Sequence, residues 1–133
     1  MIFADASALI SIIIGESDAA ELADRLGADR GRLCSALSVW ETVAGLCHSY
    51  MFSVPSARTH VRRFLDVGGF QFVAIGEREF EIAVDVYAQF GKGRHPAALN
   101  MGDCYAYACA KANQATLLFT GDDFAKTDIV TVG

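Results

Sequence analysis

The sequence predicts an α/β fold, a three-layer α/β/α sandwich around a mainly parallel sheet of about five short strands. Three observations lead there. Short apolar runs alternate with stretches of helical periodicity, and acidic or glycine-rich turns follow several of those runs directly. The 133 residues are 53% apolar and hold only two prolines, so the chain can bury a core and nothing punctuates it into halves. One domain over residues 1–133 is the expectation.

Residues 1–4 are an apolar run that stops at Asp5, and Ser7 stands where it could cap a helix opening on Ala8, Leu9 and Ile10. A Gly-Glu-Ser-Asp turn at 15–18 leads to a short amphipathic helix over 19–26, ended by Gly27. Residues 33–35 read as a buried strand. Ser38-Val39-Trp40-Glu41 has the spacing of a capping box and opens a helix on Val39, Val43, Leu46, Cys47 and Tyr50. A further helix over 56–67 carries Arg58, Arg62 and Arg63 and breaks at Gly68-Gly69, before a strand over 70–75. The helix over 77–90 is expected to bury Phe80, Ala83, Val84, Tyr87 and Phe90. A loop over 91–100 is rich in cations, with Lys92, Arg94 and His95. Residues 103–112 are helical, 116–119 form a strand and 121–123 a turn.

In open parallel sheets ligands gather at the carboxyl ends of strands, and that is where the acids of this chain fall. Each has a structural use on its own. Asp5 can make an Asx turn, Glu41 can complete a capping box, Asp103 can favour a helix dipole beside Asn100, and Asp122 and Asp123 are ordinary turn residues. Together they make a different case, because Asp5 and Asp122 follow buried strands while Glu41 and Asp103 begin helices entered from the same side. A carboxylate cluster without an adjacent lysine or arginine is commonly compensated by a hard cation bound through oxygen. Such a cation can activate water and steady the leaving oxygen in phosphodiester hydrolysis.

The net charge of −5 is the wrong sign for binding nucleic acid through a basic field alone, so divalent cations and local arginines would have to supply the positive charge. Cys34, Cys47, Cys104 and Cys109 form no C-x-x-C pair and have apolar neighbours, the pattern of buried reduced thiols rather than a zinc site. The start has no basic leader and Asp5 interrupts its apolar stretch, so no membrane span and a cytoplasmic location are expected. A phosphate-accepting receiver domain would need an aspartate ending the middle strand, where Gly76 stands. A D-x-D phosphate-transferring hydrolase would need an acid in place of Ser7.

The segments Phe3-Ala4-Asp5-Ala6-Ser7-Ala8-Leu9, Gly102-Asp103-Cys104-Tyr105-Ala106-Tyr107-Ala108 and Thr120-Gly121-Asp122-Asp123-Phe124, with a lone glutamate near a helix start at Glu41, resemble the PIN domain. More narrowly they resemble the VapC-type ribonuclease toxins of prokaryotic toxin–antitoxin pairs, over nearly the full chain. The resemblance implies a PIN-like sandwich and endoribonuclease activity dependent on Mg2+ or Mn2+. It also implies an RNA substrate, a homodimer and inhibition by a cognate antitoxin. It matches Asp5 and Asp103 to direct metal ligands, Glu41 and Asp122 to acids acting through water, and Ser7 and Thr120 to supporting hydroxyls. Asp123 is the other candidate for the fourth acid, with Asp122 favoured. Arg94, His95 and Arg62 are candidate RNA contacts. The competing reading is a PIN-like module that binds RNA or a partner without cutting, which would be expected to have lost one or more of these acids.

Overall fold

The computed structural model describes residues 1–129 and the backbone of 131–132. Its sheet has the order β3-β2-β1-β4-β5, and every neighbouring pair is parallel. Four strands, β1 (Ile2–Ala4), β2 (Arg32–Ser35), β3 (Gln71–Val73) and β4 (Thr116–Leu118), form its body. The last, β5 (Thr131–Val132), is a two-residue edge that the sequence pattern did not place.

Side-chain alternation along β1 distributes the core between two faces. Phe3 points toward the layer of α5 (Glu77–Phe90) and α6 (Met101–Ala112), where it meets Leu33, Val86, Phe90 and Leu117. Ile2 and Ala4 point the other way, toward α1 (Ala6–Ile14) and α2 (Ala19–Gly27), which cover them with Leu9, Leu22 and Leu26. Cys34 of β2 faces α3 (Ala36–Tyr50) and α4 (Val54–Gly68) through Leu46, Val61 and Leu65. Helices on both faces supply the two outer layers of the sandwich. All four cysteines are free thiols, and three of them are buried.

Crossovers run outward from β1 to β2 and β3 on one side, and the chain then returns to β4 on the other. The carboxyl ends of β1 and β4 therefore flank the point where the strand order reverses, the usual position of a ligand crevice.

Helix α5 differs from its sequence reading. It buries Ala83, Val86 and Phe90 with Glu79, while Phe80, Val84 and Tyr87 are 49%, 47% and 46% exposed. Two apolar stripes with helical spacing run along this helix, and only one can face α6 and the sheet. Likewise Tyr50, expected on the apolar face of α3, is exposed and donates a hydrogen bond to Glu16. No helix among the described residues is long and apolar enough to cross a membrane.

Candidate active site

Asp5 leaves β1 at the carboxyl edge of the sheet, and its backbone N–H donates to Leu118 O at 3.0 Å, tying the acid to the end of β4. It is Asp5, not Ser7, that caps α1. Its Oδ2 accepts from Ser7 N at 3.2 Å and from Ser7 Oγ at 2.7 Å, and extended backbone at φ −70° and ψ 156° places it before the first turn. The residue is only 5% exposed. Burial pushes its carboxyl above the ordinary range, the bonds from Ser7 and Ala6 work against that, and the charge of Asp123 adds to it.

Glu41 does not complete a capping box. The box is formed by Ser35 and Ser38, with Ser38 N donating to Ser35 Oγ at 3.1 Å and Ser35 N donating to Ser38 Oγ at 3.0 Å, so α3 begins at Ala36. Glu41 is therefore in the second turn, half-buried, and accepts no hydrogen bond from the described residues. Its carboxylate lies against the backbone of α6. A Cβ added at Gly102 would stand 2.0 Å from Glu41 Oε2 and 2.6 Å from Oε1. Burial, then the charges of Asp5 and Asp103, push its pKa up to about 7.

Asp103 follows Gly102 in the first turn of α6, where Asn100 caps the helix as its position suggested. Asp103 N donates to Asn100 Oδ1 at 2.9 Å, and Asp103 Oδ2 accepts from Asn100 N at 3.1 Å. Burial lifts its pKa to about 6, the Asn100 N–H opposes that shift, and the charges of Asp5 and Asp123 reinforce it.

Of the adjacent pair Asp122 and Asp123, it is Asp123 that lies within electrostatic reach of the cluster. Its charge is felt at both Asp5 and Asp103. Asp122, which the sequence reading favoured, instead lines a neighbouring depression with Asp18, Glu21 and Arg25. Left-handed backbone at Gly121, with φ +97°, redirects the chain between β4 and the short 3-10 turn Phe124–Lys126.

The supporting hydroxyls stand beside the acids. Ser7 Oγ donates to Asp5 and accepts from Thr120 N at 3.1 Å, while Thr120 Oγ1 donates to Asp18 Oδ2 at 2.6 Å. None of the ion pairs among the described residues involves Asp5, Glu41, Asp103 or Asp123. No buried side-chain oxygen or nitrogen among the described residues lacks a partner, so the free carboxylate oxygens are reachable by water. As they stand, no three His, Cys, Asp or Glu side chains among the described residues are close enough to hold one ion.

The candidate cations are placed differently from one another. Arg94 is exposed, with its guanidinium 5.1 Å from the centroid of the Tyr87 ring. Arg62 is exposed on α4 over Phe72, in a groove of about 800 Å3 that Arg58, Arg63 and Val43 also line. His95 organises its own loop: Nδ1 accepts from Ala97 N at 3.0 Å and its ring packs edge-on to Phe90. Gly102 has no role in the sequence pattern of the acids, yet it sets the place of Glu41. A glycine inside the first turn of a helix, next to the acid, was the available signal for a close approach.

Known proteins match this chain over nearly its full length. The family model described as the PIN domain matches residues 2–130. Ribonuclease VapC30 of Mycobacterium tuberculosis is 38% identical over 128 residues, spanning 96% of this chain and 95% of that protein. A VapC ribonuclease of Rhizobium meliloti is 36% identical over 141 residues, covering 97% of this chain and 99% of its own length. Among solved structures, the sarcin-ricin loop cleaving toxin VapC20 of Mycobacterium tuberculosis superposes with a TM-score of 0.76 at 16% identity, covering 99% of this chain and 98% of that one. VapBC2 of Rickettsia felis, solved with a DNA fragment from its promoter, gives a TM-score of 0.76 at 13% identity over 100% of this chain and 98% of the other. The family model and these relatives each cover nearly the whole chain, and the chain belongs to the PIN-domain family.

Proposed function

We propose that this chain is a metal-dependent endoribonuclease that acts as the toxin of a toxin–antitoxin pair. The observation that carries this reading is that Asp5, Glu41, Asp103 and Asp123 lie within electrostatic reach of one another at the carboxyl edge of the sheet, with no ion pair to any of them among the described residues. Asp5, Glu41 and Asp103, raised by burial and by neighbouring charges and with free oxygens open to water, are donors of the kind that hard divalent cations prefer. Asp5 and Asp103 are the direct ligands for Mg2+ or Mn2+, and Glu41 and Asp123 act through water. When bound, the ion contributes Lewis-acid activation of water and neutralisation of the departing oxygen.

The chain's own residues do the positioning. Ser7 holds Asp5 by one oxygen and leaves the other free, Asn100 does the same for Asp103, and Gly102 makes room for Glu41 between α3 and α6. Arg94 and Arg62 contact phosphates of the RNA, which the net charge of −5 would otherwise repel. The cognate antitoxin brings an arginine or lysine to the acid cluster, where a guanidinium can bridge two carboxylates. The chain works as a homodimer, supported by a mean hydropathy of +0.29 and by exposed Trp40, Phe80, Val84 and Tyr87. Light scattering should then report about twice the 14.3 kDa chain mass, and a clean monomer would contradict the dimer.

Incubating the purified chain with structured RNA should yield discrete fragments in Mg2+ or Mn2+ and none in EDTA. Expression alone should arrest bacterial growth, and co-expression of the antitoxin-like frame beside its gene should relieve the arrest. Intact RNA in Mn2+ would overturn the nuclease reading and leave a binding module.

A pH signature accompanies the site. Glu41 and Asp103 titrate in the fold at about 7 and about 6, above their ordinary values of 4.5 and 3.8. The native chain thus holds protons that the unfolded chain has released, so this contribution is fully present below the ordinary values and is lost as pH rises through about 7. In EDTA the melting temperature should fall between about pH 4 and about pH 7, by an amount that, after discounting for solvent screening of these half-buried groups, is on the order of 2 kcal/mol or roughly 5 °C. Stabilisation by Mg2+ should grow over the same window, because only the ionised acids bind it. A melting temperature indifferent to pH in EDTA would contradict the shared burial and repulsion.

A further inference from the structure

Asp18 occupies the N-cap position of α2 but does not cap it, since no side-chain bond runs from its carboxylate to the first amides of that helix. An aspartate at this position ordinarily spends its oxygens on those amides. Here both oxygens turn away from α2. Oδ1 accepts from Ser11 Oγ on α1, and Oδ2 accepts from Thr120 Oγ1 at 2.6 Å, across 102 residues of sequence. The two hydroxyl bonds hold the Asp18 carboxyl below the ordinary range, Ser11 contributing most and Thr120 next. An ionised carboxylate can only accept, so both hydroxyls must be donors and the direction of each bond is fixed.

Thr120 is thereby held at two points. Its side chain is tied to Asp18, and its backbone N–H donates to Ser7 Oγ, which in turn donates to Asp5 Oδ2. The next residue is Gly121, whose positive φ redirects the loop, and Asp123 follows with its charge bearing on Asp5 and Asp103. Thr120, Asp122 and Asp123 are exposed, while Phe119 and Phe124 on either side are buried and pack edge-on, so packing anchors the two ends of the loop and the hydrogen bonds of Thr120 act on the segment between them.

We propose that Asp18 is a positioning residue for the acid site, holding through the Thr120 hydroxyl the loop that presents Asp123 to Asp5 and Asp103. The inference rests on the nuclease reading above and extends it to a carboxylate outside the cluster. Groups that orient metal-binding acids at one remove commonly matter about tenfold to a hundredfold for affinity or turnover. A tie serving only to join α1, α2 and β4 would affect melting alone.

The test compares the parent chain with Asp18→Ala, Thr120→Val and Thr120→Ser. Three quantities are measured: melting in EDTA, the Mn2+ concentration giving half-maximal thermal stabilisation, and kcat and KM for RNA cleavage. Asp18→Ala and Thr120→Val should each raise the Mn2+ midpoint and lower kcat by about tenfold with KM little changed. Thr120→Ser, which restores the hydroxyl, should recover both relative to Thr120→Val. Since Thr120 is exposed and valine nearly isosteric with threonine, that pair reports on the bond even if Asp18→Ala folds poorly. Parent-like Mn2+ midpoints and kcat in Thr120→Val, with or without a change in melting, would overturn the inference while leaving the nuclease reading intact. A parent chain that neither binds Mn2+ nor cuts RNA would overturn both.

Discussion

Replacing Asp103 by asparagine should abolish RNA cleavage and leave the metal-free protein at least as stable as the parent. Asparagine keeps the shape and an acceptor oxygen for the Asn100 N–H, so the capping box of α6 survives. What it removes is one charge from a group in which Asp103 raises Glu41 and is itself raised by Asp5 and Asp123. Close carboxylate pairs at a partly wet site repel by on the order of 1 kcal/mol or more, so the melting temperature in EDTA should hold or rise. Cleavage should fall by more than about a hundredfold, since a direct ligand matters more than the groups that orient it. Mg2+ should stabilise the parent and hardly stabilise the variant. If Asp103 served only its helix dipole, the substitution would cost up to about 1 kcal/mol and cleavage would persist.

Gly102→Ala should be nearly as damaging to cleavage, although the residue carries no chemistry. Its new Cβ would fall 2.0 Å from Glu41 Oε2, well inside van der Waals contact, so the carboxylate must leave its place between α3 and α6. Alanine is favoured over glycine within a helix by roughly 1 kcal/mol, which offsets part of the steric cost and keeps the variant folded. Cleavage should drop by about tenfold to a hundredfold. The two residues act through one position, so Gly102→Ala added to Glu41→Ala should cost little beyond Glu41→Ala alone. Gly27→Ala is the matched control: nothing lies within 4 Å of its added Cβ, and cleavage should be unaffected. Equal activity of Gly102→Ala and the parent would show that Glu41 is not needed where it lies.

The parts of this site legible in the sequence are those set by one local pattern. An apolar run ending in Asp5 specifies a buried strand with an acid at its carboxyl end, and Asn100-x-x-Asp103 specifies the start of α6. The less legible parts depended on choices between neighbours. Ser35 and Ser38 can each cap a helix, and the reciprocal bonds between them place Glu41 a turn further in than the Ser38-x-x-Glu41 spacing suggested. Asp122 and Asp123 are chemically identical, and only the path of the loop after Gly121 decides which one faces Asp5. On α5 the stripe containing Phe80, Val84 and Tyr87 competes with the one containing Ala83, Val86 and Phe90, a contest settled by tertiary packing. Asp18 reads from sequence as an ordinary helix start, and its bond to Thr120 spans a distance along the chain that no local pattern encodes.

In the proposed function these acids together hold the divalent cation with which the chain cuts RNA. The most direct test of this is the anomalous scattering of Mn2+ in crystals of the active chain. A peak is expected in contact with Asp5 and Asp103, with Glu41 and Asp123 facing it, and it should be lost in Asp103→Asn. Mn2+-dependent cleavage with the ion bound elsewhere, or with no ion among these four carboxylates, would contradict it.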